Sequence, residues 1–302
     1  MVLLDFKRIE LKDKPIFDRA FASRYYDNSW FTFTNLYIWR ENYSTAWAME
    51  DGSLVVRLQA NGMTYYLPPF APADKSFATA VAAVVEESRQ RGDAFLMKGL
   101  SPQMCSELSE QTPERFCIEP QREYFDYLYV ASDLRELAGR KYHAKRNFVN
   151  RFRATHQDWS YSPLTNECVE DCLQVAAAWC QERDCEASSV LSNEFRAIEE
   201  ALKHFELLGL RGGILRLAER PVAFSFGELL NPDTVVIHME KADPSITGLF
   251  PMINQECCRQ AWGDAVWINR EEDMGEEGLR KAKESYYPVR LVEKYKIFLK
   301  ED

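Results

Sequence analysis

The residue types best suited to chemistry gather in residues 265–288, AVWINREEDMGEEGLRKAKESYYP. Arg270, Glu272 and Asp273 follow the short apolar run Val266, Trp267 and Ile268, and Arg280, Lys281 and Lys283 follow the glycines Gly275 and Gly278. A strand end, a glycine-bearing turn and a helix start together make a common seat for an anion, because main-chain N–H groups and the helix dipole point there. A second concentration spans residues 133–153, DLRELAGRKYHAKRNFVNRFR, with seven Lys or Arg against two acids. Lys141, Lys145 and Arg146 sit at its centre beside Asn147, whose type suits a polar contact better than a helix interior. Guanidinium forks and ammonium groups both satisfy phosphate oxygens, so a phosphate-bearing ligand is the natural partner. The plainer account is a solvated connector with a capped helix, and an exposed basic interdomain helix.

The rest of the chain makes these clusters stand out. Its 302 residues carry a net charge of -10, so the whole molecule is no generic polyanion binder and a basic patch is a local feature. With 46% hydrophobic and 13% aromatic residues it can bury sizeable cores, and its length suggests two domains of about 150 residues. The expected cut falls between 132 and 133. Eight cysteines show no C-x-x-C and only four histidines accompany them, so free thiols in a reducing compartment are expected and no metal site is. The first residues, MVLLDFKRIELKDKP, have no signal-peptide core, and no run reaches the ~20 apolar residues of a membrane span. A cytoplasmic protein is expected.

Elements that must position the clusters can be placed from local pattern. Residues 27–47 are dense in aromatics and read as core. Asn61-Gly62 between two strand-like runs signals a hairpin. Residues 77–90 carry Phe77, Val81, Val84 and Val85 on one side, an amphipathic helix stopped by Gly92. Residues 133–153 read as one helix that Asp133 caps. Later come helices at 166–180 and 193–208, a hairpin at 213–229, a strand at 234–239 and a helix at 250–262. Strand, loop and helix precede RQRGDA and then Phe95 in the first half. The same order precedes RQAWGDA and then Val266 in the second, which points to an internal duplication of a mixed α/β (α+β) unit. No G-x-G-x-x-G, Walker A, G-x-S-x-G or H-E-x-x-H occurs, which removes the signatures of dinucleotide dehydrogenases, kinases, serine hydrolases and zinc proteases.

The stretches GRKYHAKRNFVNRF, VVIHMEKAD and INREEDMGEEGLRKAKESYYP resemble the family built on the phosphatidylglycerol lysyltransferase C-terminal domain, and the resemblance covers nearly the whole chain. It implies two N-acetyltransferase-like (GNAT) domains in tandem, related to Fem-type aminoacyltransferases that use aminoacyl-tRNA. Membrane lysyltransferases carry a transmembrane region that this chain lacks, which bears against phosphatidylglycerol as acceptor. Acetyl-CoA-dependent GNAT enzymes carry an R/Q-x-x-G-x-G/A loop; here KADPSITG has Gly248 alone, which bears against coenzyme A.

The chemistry so implied is transfer of an aminoacyl group from an aminoacyl-tRNA-type donor to an amine or hydroxyl, with no cofactor required. Such a site needs a base, oxyanion donors and an acid. His238 and Glu240 are expected on one face of their strand and Lys241 on the other. Glu240 is a candidate base or a receptor for the donor's amino group, and Tyr286 a candidate proton donor. Lys141, Lys145, Arg146, Arg280, Lys281 and Lys283 would hold phosphates. A core role for His238, a packing role for Tyr286 and a capping role for Glu272 and Asp273 are the plainer readings. Two further functions stay open: acyl-CoA-dependent acetyl transfer, and a non-catalytic anion-binding member of the fold. DNA is not an expected partner.

Overall fold

The computed structural model describes residues 3–72, 74–182 and 189–300. It divides into two compact units, one of residues 1–126, 272–276 and 292–302, the other of residues 127–271 and 277–291. The first unit contains β1 (Lys7–Arg8), α1 (Lys14–Phe21), α2 (Phe33–Ile38), β2 (Ala46–Glu50), β3 (Ser53–Ala60), β4 (Met63–Tyr66), α3 (Phe77–Arg91), β5 (Leu96–Leu100), α4 (Pro102–Gln111) and β6 (Phe116–Pro120). Asn61 and Gly62 both take positive φ, as a two-residue hairpin needs, and join β3 to β4 as expected. Ser76 caps α3 by accepting from the Thr79 N–H, and Gly92 ends it in the left-handed region.

The second unit opens with β7 (Asp126–Val130), α5 (Ala131–Glu136), α6 (His143–Thr155), β8 (Trp159–Pro163), α7 (Val169–Glu182), α8 (Ser189–Lys203) and α9 (Phe205–Leu208). It continues through β9 (Arg211–Leu217), β10 (Arg220–Leu229), β11 (Thr234–Ala242), α10 (Leu249–Gln260), β12 (Trp267–Asn269), α11 (Glu277–Glu284) and β13 (Arg290–Val292). The last strand, β14 (Tyr295–Leu299), returns to the first unit's sheet.

Each unit is built on a seven-stranded mixed sheet, in the orders β1-β2-β3-β4-β5-β14-β6 and β8-β9-β10-β11-β12-β7-β13. Both contain an antiparallel meander, then a strand–helix–strand crossover whose two strands pair in parallel: β4-α3-β5 and β11-α10-β12. Beside the second crossover strand each copy takes an antiparallel strand from the other stretch of chain, β14 next to β5 and β7 next to β12. The two copies have exchanged a strand. A single cut at 132/133 therefore does not describe the units, because strand pairing is decided by long-range register that local pattern does not carry.

Residues 133–153 are not one helix either. Leu137 adopts φ +50 and Gly139 φ +78, which end α5 and leave a turn before α6 begins at His143. Asp133 lies within α5, and its carboxylate receives Lys141 and the Tyr142 hydroxyl instead of capping the segment.

The aromatic stretch of the first unit is core. Phe31, Phe33, Tyr37 and Trp47 are buried, with Phe17, Phe21, Phe31 and Phe70 in edge-on and stacked contacts. Side chains of that size contribute about 1.5–3 kcal/mol each when fully buried. Lys294 crosses this interior with no exposed surface, its Nζ 2.6 Å from Asp126 and 3.2 Å from Glu272. The Ser29 hydroxyl accepts a third hydrogen bond at 3.1 Å. Burial raises the Asp126 pKa against the pull of Lys294.

Cys105, Cys117, Cys168, Cys172, Cys257 and Cys258 are free thiols, but Cys180 is disulfide-bonded, so the expectation of free thiols fails there. Cys185 lies outside the described residues. Among the described residues, no helix is long and apolar enough to cross a membrane.

Removing one member of a buried ion cluster leaves the others uncompensated. Lys294→Met should cost roughly 3–5 kcal/mol, read as a lowered denaturation midpoint, whereas exposed Lys281→Ala should change it by less than about 0.5 kcal/mol.

Candidate active site

The second unit's crossover strands run together briefly and then part. β11 and β12 pair at Thr234–Trp267, Val235–Ile268 and Val236–Asn269; β12 ends there while β11 continues to Ala242. The carboxyl ends of parallel strands are where α/β sheets leave a crevice. Between β10 and β11 the register slips from Gly227–Ile237 to Phe226–Met239, which leaves His238 as the extra residue of a β-bulge. Gly227 permits this, since a Cβ there would stand 1.9 Å from the Val236 carbonyl oxygen. The bulge resets the alternation, so His238 and Glu240 reach different partners and do not act together as simple alternation predicts.

Glu240 faces α10 and β12. Its Oε1 accepts from Arg270 Nη2 at 2.9 Å and its Oε2 from Asn254 Nδ2 at 3.1 Å. Arg270 lies over the rings of Tyr286 and Tyr129, at 4.9 and 5.9 Å from their centroids. Burial opposes its charge, but Glu240 outweighs that and holds the guanidinium more firmly protonated than usual. Two buried atoms here have no hydrogen-bond partner among the described residues: a donor, Arg270 Nη1, and an acceptor, Asn254 Oδ1. Lys145 of α6 places its Nζ 4.0 Å from the Tyr286 ring centroid. Burial, then the neighbouring Arg270, bring its pKa down to about 8 despite the pull of Glu240. Burial pushes the Tyr286 phenol up, so it keeps its proton.

The turn that aims Arg270 is unusual. Glu271 adopts φ +55, a left-handed conformation that costs a non-glycine residue about 1 kcal/mol or more. Its N–H donates to Asn269 Oδ1 at 2.8 Å, and its carbonyl accepts from the Tyr127 N–H at 3.1 Å and Lys283 Nζ at 3.0 Å. Lys283 Nζ also donates to the Arg270 carbonyl, and Tyr129 Oη donates to the Lys283 carbonyl at 2.8 Å. His238 Nδ1 meets Glu271 Oε1 at 2.9 Å, and its Nε2 meets Glu228 Oε1 at 2.9 Å. Burial alone would discharge the ring, but hydrogen bonds to the two carboxylates lift its pKa to about 9.

A family profile described as phosphatidylglycerol lysyltransferase, C-terminal, matches residues 23–298. The chain belongs to that family. It is 40% identical to a protein of unknown function from Bacteroides thetaiotaomicron VPI-5482, over 99% of this chain and 100% of that one, with a TM-score of 0.93. The L-PGS of Bacillus licheniformis is similar in fold at 15% identity, covering 85% of each chain, with a TM-score of 0.61. A tandem GNAT protein from the clavulanic acid biosynthesis pathway matches 99% of this chain and 100% of its own at 8% identity and a TM-score of 0.50. The fold is thus a tandem GNAT fold. No curated protein matches the chain.

Within this lysyltransferase-family fold the expected site residues separate. Glu240, Arg270, Tyr286 and Lys145 come together. Lys241 points away, its Nζ 3.5 Å from the Trp179 ring centroid and 2.7 Å from Glu194. A cavity of about 390 Å³ on that side, lined by Trp179, Pro221, Val222, Asp243 and Pro244 among others, does not include Glu240 or Arg270. Lys283 is buried and turned onto main-chain carbonyls, not outward to a phosphate. Lys281 is exposed in an ion pair with Glu277, a contact worth little, and Arg280 is half-exposed. Lys141 pairs with Asp133; Arg146 donates to the Leu137 and Gly139 carbonyls; Asn147 is exposed beside His143. Glu272 and Asp273 belong to the first unit, where Glu272 accepts from Trp30 Nε1 at 3.1 Å and Asp273 pairs with Arg122. Asn254, Asn269, Glu271 and Glu228 were missed. Only Glu271, lying inside the charged run 270–273, had a local signal. Gly248, at φ +88, is explained by packing: a Cβ would stand 2.4 Å from the Phe148 carbonyl oxygen of α6. Among the described residues no group of His, Cys, Asp or Glu side chains is placed to hold a metal ion.

A histidine held charged between two carboxylates cannot accept a proton near neutrality, so His238, a catalytic candidate by its place on the strand, stands here as a structural ion. Its pKa is raised above the ~6.5 of a free imidazole, so its contribution is complete below that value and is lost as pH rises through about 9. The stability advantage of the native chain over His238→Gln, on the order of 3 kcal/mol near pH 6, should shrink steadily towards about pH 10 in parallel denaturation curves.

Proposed function

We propose that this chain transfers an aminoacyl group from an aminoacyl-tRNA-type donor to an amine or hydroxyl acceptor. The observation that carries this reading is the Glu240–Arg270–Asn254 cluster with its unpartnered donor and acceptor. An aminoacyl ester presents an ammonium group next to a carbonyl. Glu240 and Asn254 Oδ1 suit the ammonium, and Arg270 Nη1 suits the carbonyl oxygen, where it would also stabilise the oxyanion that forms on attack. A ligand carrying both features would pair both buried polar atoms at once, which is a source of selectivity.

The acceptor's lone pair forms the new bond to the ester carbon and the C–O bond to the ribose breaks. Lys145, with a pKa of about 8, is partly neutral near physiological pH and takes the acceptor's proton. The leaving ribose oxygen must gain a proton, and the protonated Tyr286 beside Arg270 is the donor. Exposed Arg140, Lys141 and Arg151, with exposed Phe148 among them, support a salt-sensitive grip on RNA backbone and bases. Coenzyme A thioesters remain the competing donor. Gly248, accounted for by its contact with α6, adds nothing in favour of a pyrophosphate loop.

Filter binding of aminoacylated against deacylated tRNA, with coenzyme A as a separate probe, tests the reading. The native chain should prefer the charged form, and Glu240→Gln should reduce that preference about tenfold, equivalent to about 1.4 kcal/mol. Equal affinity for the two tRNA forms, or thermal stabilisation by coenzyme A alone, would sink it.

A further inference from the structure

We propose that His238, bridging Glu228 and Glu271, is a positioning residue that locks the left-handed turn at Glu271 and thereby aims Arg270 at Glu240. This rests on Arg270 and Glu240 forming the working site. The starting observation is the backbone. Glu271 has a side chain yet holds φ +55 immediately after Arg270, and such a conformation persists only where its surroundings over-determine it. Four groups do so from four elements. Asn269 at the end of β12 accepts from the Glu271 N–H, the Tyr127 N–H of β7 donates to the Glu271 carbonyl, Lys283 of α11 donates to the carbonyls of Arg270 and Glu271, and His238 of β11 holds the Glu271 carboxylate.

His238 differs from the other three in gripping the side chain instead of the main chain. It does so from the bulge, the one place where β11 turns a residue out of its alternation. Its other nitrogen is anchored to Glu228 on β10, a neighbouring strand of the same sheet, so Glu271 is referred to the body of the sheet and not to a loop. Two residues further along the same strand stands Glu240, the partner of Arg270. One strand therefore fixes both members of the pair: Glu240 directly, and Arg270 through the neighbouring Glu271. The bulge at His238, the left-handed turn at Glu271 and the inward Lys283 then share one cause.

Crystal structures of His238→Gln and Glu271→Asn, with the tRNA preference of each, test this. Asparagine tolerates the left-handed backbone but falls short of His238, so it removes the side-chain bond and leaves the turn's main chain unopposed. Both variants should break the 2.9 Å contact between Arg270 and Glu240 and reduce discrimination between charged and deacylated tRNA about tenfold. Glu228→Gln, which keeps the bond from His238 to Glu271, should stay within about twofold. A purely structural histidine would instead make Glu228→Gln and Glu271→Asn equivalent. If His238→Gln does not fold, Glu271→Asn decides; an Arg270–Glu240 contact intact in either folded variant overturns the proposal. If Arg270→Ala leaves the tRNA preference unchanged, the aminoacyl reading falls, and the crystallographic contact alone still decides the clamp.

Discussion

A guanidinium taken out of water has to be met by an anion and by acceptors, or the fold cannot hold it. Arg270 imposes that condition on the second unit. Glu240 supplies the charge, Asn254 holds the carboxylate's other oxygen, and the faces of Tyr286 and Tyr129 cover the planar group. The arginine can stand there only because β12 stops after Asn269 while β11 runs on, so that the strands part and leave side chains where hydrogen bonds would otherwise be. The exit from β12 then requires a left-handed residue, and that residue requires its clamps. A buried charge, a strand end and a strained turn are each unfavourable alone; together each supplies what the others need.

The first unit shows the same crossover without that demand. Its parallel strands meet at Tyr66–Met97, as Val235–Ile268 do in the second, so Gly99 occupies the place corresponding to Arg270. A side chain there would meet the Trp30 ring, whose carbon would lie 3.0 Å from an added Cβ, and Trp30 is held in turn by Glu272. One copy of the fold carries a polar pair beside its parted strands, and the other fills the corresponding space with an indole. The two units share the crossover, while the side chains beside it differ.

Much of the local structure was legible in the residues. Asn61-Gly62 can only be a tight turn, Gly92 stops a helix whose apolar face is written in Phe77, Val81, Val84 and Val85, and the aromatics from Phe31 to Trp47 are core. Glu240, Arg270, Tyr286 and Lys145, singled out by charge, position and family resemblance, lie together in the second unit. The failures share a different character. Lys283 looks like its neighbour Lys281, yet one lies inside the unit and the other in solvent, because helix α11 turns successive residues through about 100° and only packing says which face is covered. His238 was paired with Glu240 on strict alternation, and a single bulge residue undid the count.

The sequence by itself determined most of the elements (the break inside residues 133–153 excepted), the repeated crossover, and the family to which its signature motifs belong, because propensity, turn chemistry and motif spacing are properties of neighbouring residues. Tertiary structure alone decided the exchange of β7 and β14, the bulge at His238, the left-handed Glu271 and the choice of which cations face inward. Those depend on strand register and on the pairing of buried charges between residues far apart in the chain, and no local pattern of residue types encodes either.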